Sequence, residues 1–231
     1  MKNKTSILFI LVLTLLTFSF SGCENETTSG FTDITYYPDI VMEGDETVFV
    51  QLGENYTDPG ATATENGVPI DVTSSSTLNT GVIGTYYINY SAVNVDGFSK
   101  TVRRKIYVYD SNLNTNDLSG TYNANVSRIS SSASESYSNN PVKLTPTSIP
   151  GLYYIDDWIA GFYAIGRDYG NSYKFKGLIQ INGDNEILEL DMSNPWGDPF
   201  SSVLGSYNPN TGVIAYSAKW LSYTFVVDMA K

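Results

Sequence analysis

The residue types that usually carry out acid–base or nucleophilic chemistry are scarce in this sequence. Histidine is absent, which removes the commonest general base, the Ser–His and Cys–His nucleophile pairs and the most frequent zinc ligand. The only cysteine, Cys23, follows the apolar N-terminal segment, and no phosphate-binding loop, dinucleotide fingerprint or EF-hand spacing occurs. We therefore expect no catalytic residue, no metal site and no cofactor.

Carboxylates are the remaining candidates for catalysis, because a glycosidase needs only two of them about 5 to 10 Å apart. Five aspartates of the C-terminal half could form such a pair: Asp156, Asp157, Asp168, Asp191 and Asp198. Each lies beside Gly, Pro, Asn or Ser or between predicted strands, which is typical of turns and solvated acidic faces. We expect a protein that is not an enzyme, with a carboxylate-dependent hydrolase as the least favoured alternative.

Aromatic residues in predicted loops indicate binding better than any residue indicates catalysis. Carbohydrate sites combine flat rings, on which sugar C–H faces stack, with Asp, Asn, Gln or Arg side chains. The predicted ligand-binding residues are Trp158, Tyr163, Arg167, Asp168, Tyr169, Trp196 and Asp198. Aromatic rings are also ordinary core material in small β-domains, so a core position stays open for Trp158 and Trp196 and is expected for Trp220.

The charge balance restricts the partners. The net charge is −11, and the N-terminal segment contributes Lys2 and Lys4 but no acid, so the chain beyond it is more acidic still. Nucleic acid and anionic lipid headgroups are poor partners for such a surface. A glycan or an outer-membrane protein is the expected partner.

The N-terminal segment has the layout of a secretory signal. Lys2 and Lys4 precede an apolar run over residues 7–16, and Ser21-Gly22 precedes Cys23. This run is too short to span about 30 Å of hydrocarbon, which favours cleavage over a retained membrane helix. We expect a signal peptide over residues 1–22.

The residues around Cys23 resemble the bacterial lipobox, although Phe20 stands where that motif prefers leucine. The resemblance implies that the Cys23 thiol is lipidated, and acyl chains that each bury many methylenes give stable anchoring. The acidic stretch 24–26 resembles the surface-export signal of Bacteroidetes lipoproteins, which implies the outer face of the outer membrane. Residues 23–32 are small and polar, and we expect them to form a flexible stalk.

Residues 33–110 show the alternation of apolar residues that is typical of half-buried strands. Asn66-Gly67 and Asp96-Gly97 indicate tight turns, and roughly seven short strands predict an immunoglobulin-type β-sandwich. Residues 56–63 resemble the Y-x-D-P-G-A-x-A stretch of bacterial surface Ig-like domains, and residues 84–92 resemble their G-T-Y-x-I-x-Y-x-A strand. The resemblance implies a rigid spacer.

Residues 111–119 are polar and turn-prone, which predicts a linker, and residues 120–231 alternate again. They predict a C-terminal antiparallel β-domain, either a lipocalin-like barrel or a sandwich. Its aromatic, glycine and turn residues over 158–163, 166–170, 196–198 and 207–212 resemble an uncharacterised C-terminal domain of Bacteroidetes lipoproteins, often found after an Ig-like domain.

The sequence as a whole predicts an all-β, lipid-anchored protein of the cell surface. We expect the Ig-like spacer to present a C-terminal β-domain that binds glycan or another extracellular ligand without catalysis. The alternative is a structural or assembly role, in which the β-domain docks onto an outer-membrane protein and the aromatic loops form the interface.

Overall fold

The computed structural model describes residues 34–231, and strands dominate this part of the chain, as the all-β prediction requires. The predicted signal peptide, the predicted lipidation site Cys23 and the predicted stalk over residues 23–32 lie outside the described residues. No helix within residues 34–231 is long and apolar enough to cross a membrane.

Two sheets pack face to face in the Ig-like part. The first sheet has the order β1-β3-β4, and the second has the order β2-β7-β6-β5, with β2 and β7 parallel. Their bounds are β1 Asp39–Met42, β2 Thr47–Gln51, β3 Ala61–Glu65, β4 Val68–Ile70, β5 Thr73–Ser76, β6 Gly84–Val93 and β7 Ser99–Tyr109. Asn66 and Gly67 have φ values of 49° and 79° between β3 and β4, which suits the Asn-Gly hairpin turn that the sequence indicates.

A buried arginine on β7 explains the motif residues of the Ig-like part. Arg104 is only 1 % exposed and donates to the Tyr56 hydroxyl (2.9 Å) and to the Glu43 carbonyl (2.5 Å). It also lies 3.4 Å from the Asp58 carboxylate, which accepts a hydrogen bond from the Tyr90 hydroxyl. Tyr56, Asp58 and Tyr90 belong to the two stretches that resemble surface Ig-like domains, so those stretches meet around one buried charge.

The C-terminal part is a nearly closed antiparallel barrel, which decides between the barrel and the sandwich that the sequence left open. Eight strands pair in the order β12-β11-β10-β9-β8-β15-β14-β13. Their bounds are β8 Gly120–Ile129, β9 Ser134–Pro146, β10 Leu152–Ile155, β11 Lys176–Ile181, β12 Ile187–Ser193, β13 Ser202–Asn208, β14 Val213–Trp220 and β15 Tyr223–Ala230. The edge strands approach each other through a bridge between Glu186 and Ser206.

The interior of the barrel is a packed core. Alternate residues of the strands point inward, such as Tyr122 and Ala124 on β8. The segment over residues 156–175, which connects β10 to β11, contributes the fully buried rings of Trp158, Phe162 and Phe175 to the same core. The barrel therefore resembles a lipocalin in its strands, while side chains occupy the interior that could otherwise hold a ligand.

The Ig-like part and the barrel share an apolar contact and a set of hydrogen bonds. Tyr107 and Tyr109 of β7 belong to one buried cluster with Leu178 of β11 and Leu190 of β12. The stretch predicted as a linker is tied to the barrel as well, since Asn112 donates to the Asp184 carboxylate at 2.9 Å. The barrel thus lies directly against β7.

Candidate functional site

The segment over residues 156–175 folds across one end of the barrel and builds the candidate site. It contains a π-helical turn, Phe162–Gly166, followed by a 3-10 turn, Asn171–Tyr173. Ala160 and Gly161 start the π-helical turn with φ values of 48° and 73°. π-helical turns are rare and frequently mark functional sites, because they widen the backbone and re-aim side chains.

A buried carboxylate holds the beginning of this segment. Asp157 is completely buried and accepts hydrogen bonds from the backbone amides of Ile159 (3.2 Å), Gly161 (3.0 Å) and Phe175 (3.1 Å). These bonds join the two ends of the segment. Burial raises the pKa of Asp157 to about 7, although the three amides and Lys174 oppose the shift. Asp157 is therefore a structural residue of the site.

Because its pKa is higher in the folded than in the unfolded state, Asp157 should make stability fall as pH rises. The folded protein binds this proton more tightly, so the stabilisation is complete below about pH 4 and is lost by about pH 7. We expect the free energy of unfolding to decrease by about 2 kcal/mol from pH 5 to pH 7 through this group. Asp157→Asn should lack this decrease, and denaturant titrations at both pH values measure it. Equal pH dependence in the two proteins would contradict the prediction.

The same segment places Trp158 in the core. Trp158 is 0 % exposed, and its indole Nε1 donates to the Asp191 carbonyl at 3.2 Å. Its own carbonyl accepts a hydrogen bond from the Tyr216 hydroxyl at 2.7 Å, and its ring meets Tyr216 and Phe200 edge to face. The sequence left open whether Trp158 is a core residue or a ligand-binding residue. The structure shows that it is a core residue, because no face of its ring is exposed to a ligand.

Three partly exposed rings lie together above the core, and we call them the aromatic platform: Tyr169, Tyr173 and Trp196. The ring centroids of Tyr169 and Tyr173 are 5.2 Å apart, and those of Tyr173 and Trp196 are 5.4 Å apart. Tyr169 is 46 % exposed and Trp196 is 43 % exposed. The platform therefore offers apolar ring surface to solvent at one end of the barrel.

Buried rings beneath the platform fix its orientation. The Trp196 ring lies 5.1 Å from Tyr163 and 5.4 Å from Trp220, centroid to centroid. Its backbone is held by Asn194, whose carboxamide oxygen accepts from the amides of Trp196 (2.8 Å) and Gly197 (3.0 Å). Side-chain turns of this kind order a loop locally. The platform is thus held in place before any ligand arrives.

Charged side chains surround the platform. Arg167 forms two hydrogen bonds to the Glu135 carboxylate, at 2.5 and 3.3 Å, and Arg128 reaches the same carboxylate at 3.2 Å. Hydrogen bonding to Arg167 lowers the pKa of Glu135. The exposed carboxylates of Asp168 and Asp198 accept no hydrogen bond from residues 34–231. The cations near the platform are already paired, whereas these two acids are available to accept hydrogen bonds.

The structure brings together most of the residues that the sequence indicated. Tyr163, Arg167 and Tyr169 follow one another through the π-helical turn and its end, and Trp196 lies against Tyr163. Asp168 precedes Tyr169, and Asp198 lies in the Trp196 loop, where its carbonyl accepts from the Trp220 indole. Trp158 is separated from this group by its burial.

Sequence reasoning missed Tyr173 as a member of the platform. Its neighbours Gly170, Asn171 and Ser172 are turn residues, so the same signal that selected Tyr169 was present there. The alternation of apolar residues over 173–181 predicts a strand that begins at Tyr173, whereas β11 begins at Lys176. Tyr173 instead ends the 3-10 turn with its ring half-buried against Trp196.

Family models match both parts of the chain. Residues 110–231 match the model of the BT2262-like C-terminal domain, and residues 40–108 match the model described as the Ig-like domain of bacterial surface proteins. No curated protein matches the chain.

Two solved structures are also similar. The lipoprotein BT2262 from Bacteroides thetaiotaomicron is 27 % identical, with coverage of 84 % of this chain and 100 % of that chain and a TM-score of 0.47. The CBM51-2 and INT domains of Clostridium perfringens ZmpB, solved in complex with GlcNAc, are 21 % identical, with coverage of 51 % and 29 % and a TM-score of 0.26. Both TM-scores are below 0.5, so the assignment rests on the family models. Since the C-terminal model covers more than half of the sequence, the chain belongs to the BT2262-like C-terminal domain family, joined here to a bacterial surface Ig-like domain.

Proposed function

We propose that this chain is a non-enzymatic surface lipoprotein that binds a polysaccharide on its aromatic platform. In this proposal a lipid on Cys23 anchors the protein to the outer membrane, facing the cell exterior, and the Ig-like part is the spacer. The observation that carries the proposal is the platform itself, in which Tyr169, Tyr173 and Trp196 are partly exposed and pack against one another and against buried rings beneath them.

The physical argument rests on what exposed rings cost and what they can gain. Large aromatic surfaces that stay in contact with water forgo the stabilisation that burial would bring. A sugar residue that covers such a ring with its C–H face removes the ring from water and so gains this stabilisation. Neighbouring polar groups bind the sugar hydroxyls. Asp168 and Asp198 are exposed acceptors for those hydroxyls. Because Glu135 already pairs both nearby arginines, the platform favours a neutral chain over a polyanion.

Intrinsic tryptophan fluorescence of residues 24–231, titrated with plant, host and microbial polysaccharides, tests the proposal. A neutral polysaccharide that binds should shift the emission saturably, because Trp196 is part of the platform. We expect Trp196→Ala and Tyr169→Ala to weaken binding at least about tenfold, which corresponds to about 1.4 kcal/mol. Affinity electrophoresis with the same polysaccharides reports binding for the variant that lacks Trp196.

Phe98→Ala is the matched control, because Phe98 is 47 % exposed and lies in the Ig-like part, away from the platform residues. This variant should bind as the original protein does. No saturable response to any polysaccharide would reject the glycan proposal, as would full binding by both platform variants.

Docking onto an outer-membrane protein is the second candidate, since partly exposed aromatic residues over a packed base are also typical of protein interfaces. In that case the polysaccharide titrations should give no response. A pull-down from outer-membrane extract should instead retain one defined protein, and Trp196→Ala should lose it.

A further inference from the structure

A groove of about 400 Å³ lies where the barrel meets the Ig-like part. Its lining residues lie on β7, β9, β10, β11 and β12 and at the position directly after β10. They are Tyr107, Thr145, Tyr154, Ile155, Asp156, Lys176, Gly177, Asp191 and Ser193. None of these residues belongs to the aromatic platform. Sites for small ligands typically have volumes of about 300 to 1,000 Å³, so the groove is large enough for one sugar residue.

Both parts of the molecule fix the wall of this groove. The Tyr107 hydroxyl of β7 donates to Asp191 Oδ2 of β12 at 2.9 Å, and Lys105 Nζ lies 2.9 Å from the same oxygen. Gly177 lines the groove where a Cβ atom would overlap the Asp191 carbonyl and approach the Trp158 indole. A side chain is therefore excluded at this position, and Gly177 lines the groove with its backbone.

The charges in the groove leave one ammonium group uncompensated. One Asp156 carboxylate oxygen accepts a hydrogen bond from Lys174 Nζ (2.6 Å), and the other accepts one from the Lys143 amide (2.6 Å). Asp191 forms an ion pair with Lys105. Lys176 is exposed and forms no ion pair or hydrogen bond through its side chain within residues 34–231. A negatively charged group of an occupant could therefore form an ion pair with the Lys176 ammonium group.

The other groups at the groove define the rest of the occupant. Tyr154 is 43 % exposed, and its ring can stack against the C–H face of a sugar. Asp191 Oδ1 accepts no hydrogen bond from the described part of the chain and can accept one from a hydroxyl. The Ser193 hydroxyl lies beside Lys176, where it donates to the Lys176 carbonyl at 3.3 Å.

We propose that this groove is a second binding site, and that it binds a uronic-acid residue, a hydroxylated ring that carries one carboxylate. The carboxylate would pair with Lys176, the ring would stack on Tyr154, and a hydroxyl would donate to Asp191 Oδ1. The site is independent of the platform, since the two share no residue.

The test titrates the protein with the methyl glycosides of glucuronic and galacturonic acid and with their neutral counterparts, methyl glucoside and methyl galactoside. Binding is followed through the backbone amide signals of Asp156, Gly177 and Ser193 in ¹⁵N-labelled protein. We expect at least one uronide to shift these signals saturably in the millimolar range, and its neutral counterpart to bind at least tenfold more weakly. A tri-galacturonide then distinguishes a single bound sugar from the end of a longer chain.

Variants separate the roles of the groove residues. Lys176→Gln should weaken uronide binding at least tenfold and remove the preference over the neutral glycoside, whereas Tyr154→Ala should weaken both. Lys219→Gln is the control, because Lys219 is an exposed lysine on β14 and does not line the groove. Unshifted signals with every uronide, equal binding of neutral sugars, or unchanged binding by Lys176→Gln would each overturn the proposal. These outcomes leave the platform proposal untouched, since that proposal is tested with neutral polysaccharides and with variants of Trp196 and Tyr169, which do not line the groove.

Discussion

Replacement of Trp158 by alanine is expected to lower the free energy of unfolding by about 3 to 5 kcal/mol. The ring is fully buried among Phe200, Tyr216 and the other core rings, so its removal leaves a large cavity. It also leaves the Asp191 carbonyl without the indole donor. The effect should be large because this ring packs in the barrel core and its indole also donates to the Asp191 carbonyl of β12.

Denaturant titration followed by far-ultraviolet circular dichroism measures the loss. Trp196→Ala is the comparison, because this ring is 43 % exposed and should cost about 1 to 2 kcal/mol, mostly through contacts with Tyr163 and Trp220. If the two variants were equally stable, the division between a buried Trp158 and a platform Trp196 would not hold.

The second large effect is expected at Arg104, whose replacement by alanine should cost about 3 to 5 kcal/mol. The guanidinium is buried and bonds to Tyr56, to the Glu43 carbonyl and to the Gly60 carbonyl. Its removal leaves the Asp58 carboxylate without its cation and the Glu43 carbonyl without its guanidinium donor, whereas the Gly60 carbonyl keeps the Glu43 amide. The loss arises from these unpaired groups more than from the net strength of the ion pair itself.

The neighbouring Arg103 provides a matched control on the same strand. Its side chain is exposed and bonds to Asn89 at 3.0 Å, so Arg103→Ala should change the free energy of unfolding by less than about 1 kcal/mol. Thermal unfolding of the two variants in the same buffer compares them. A small effect at Arg104 would mean that the motif residues around it are not energetically coupled.

The surface Ig-like motifs show which residues of the Arg104 cluster a local sequence pattern can predict. Tyr56, Asp58 and Tyr90 were recognised as motif residues, and the family model for residues 40–108 confirms that resemblance. Their common partner, Arg104, lies on a different strand and gave no signal of its own. Sequence spacing does not show which distant side chains share a buried charge, because strand pairing brings them together.

The predicted binding residues show likewise that a local sequence pattern does not predict which loop residues are buried. The predicted set joined Trp158 to Trp196 because both tryptophans lie near glycine, aspartate or proline, which places them in loops. Burial depends on where a loop runs after the barrel closes, and the segment over residues 156–175 folds back over the open end with Trp158 inward. Asp156 and Asp191, two of the five aspartates considered for catalysis, both line the groove between the two parts. Their spacing did not predict that they lie together with Tyr107 and Lys176, because these residues come from different elements.

The sequence by itself determined the all-β class, the Ig-like part, the antiparallel C-terminal part and the acidic, histidine-free composition. Each of these follows from alternation, turn residues or composition, which are local properties of the chain. Only the tertiary structure decided that the C-terminal sheet nearly closes as a barrel, that Trp158 is core, and that Tyr169, Tyr173 and Trp196 form one platform. These features depend on contacts between residues far apart in sequence, and the packing of the whole core selects those contacts.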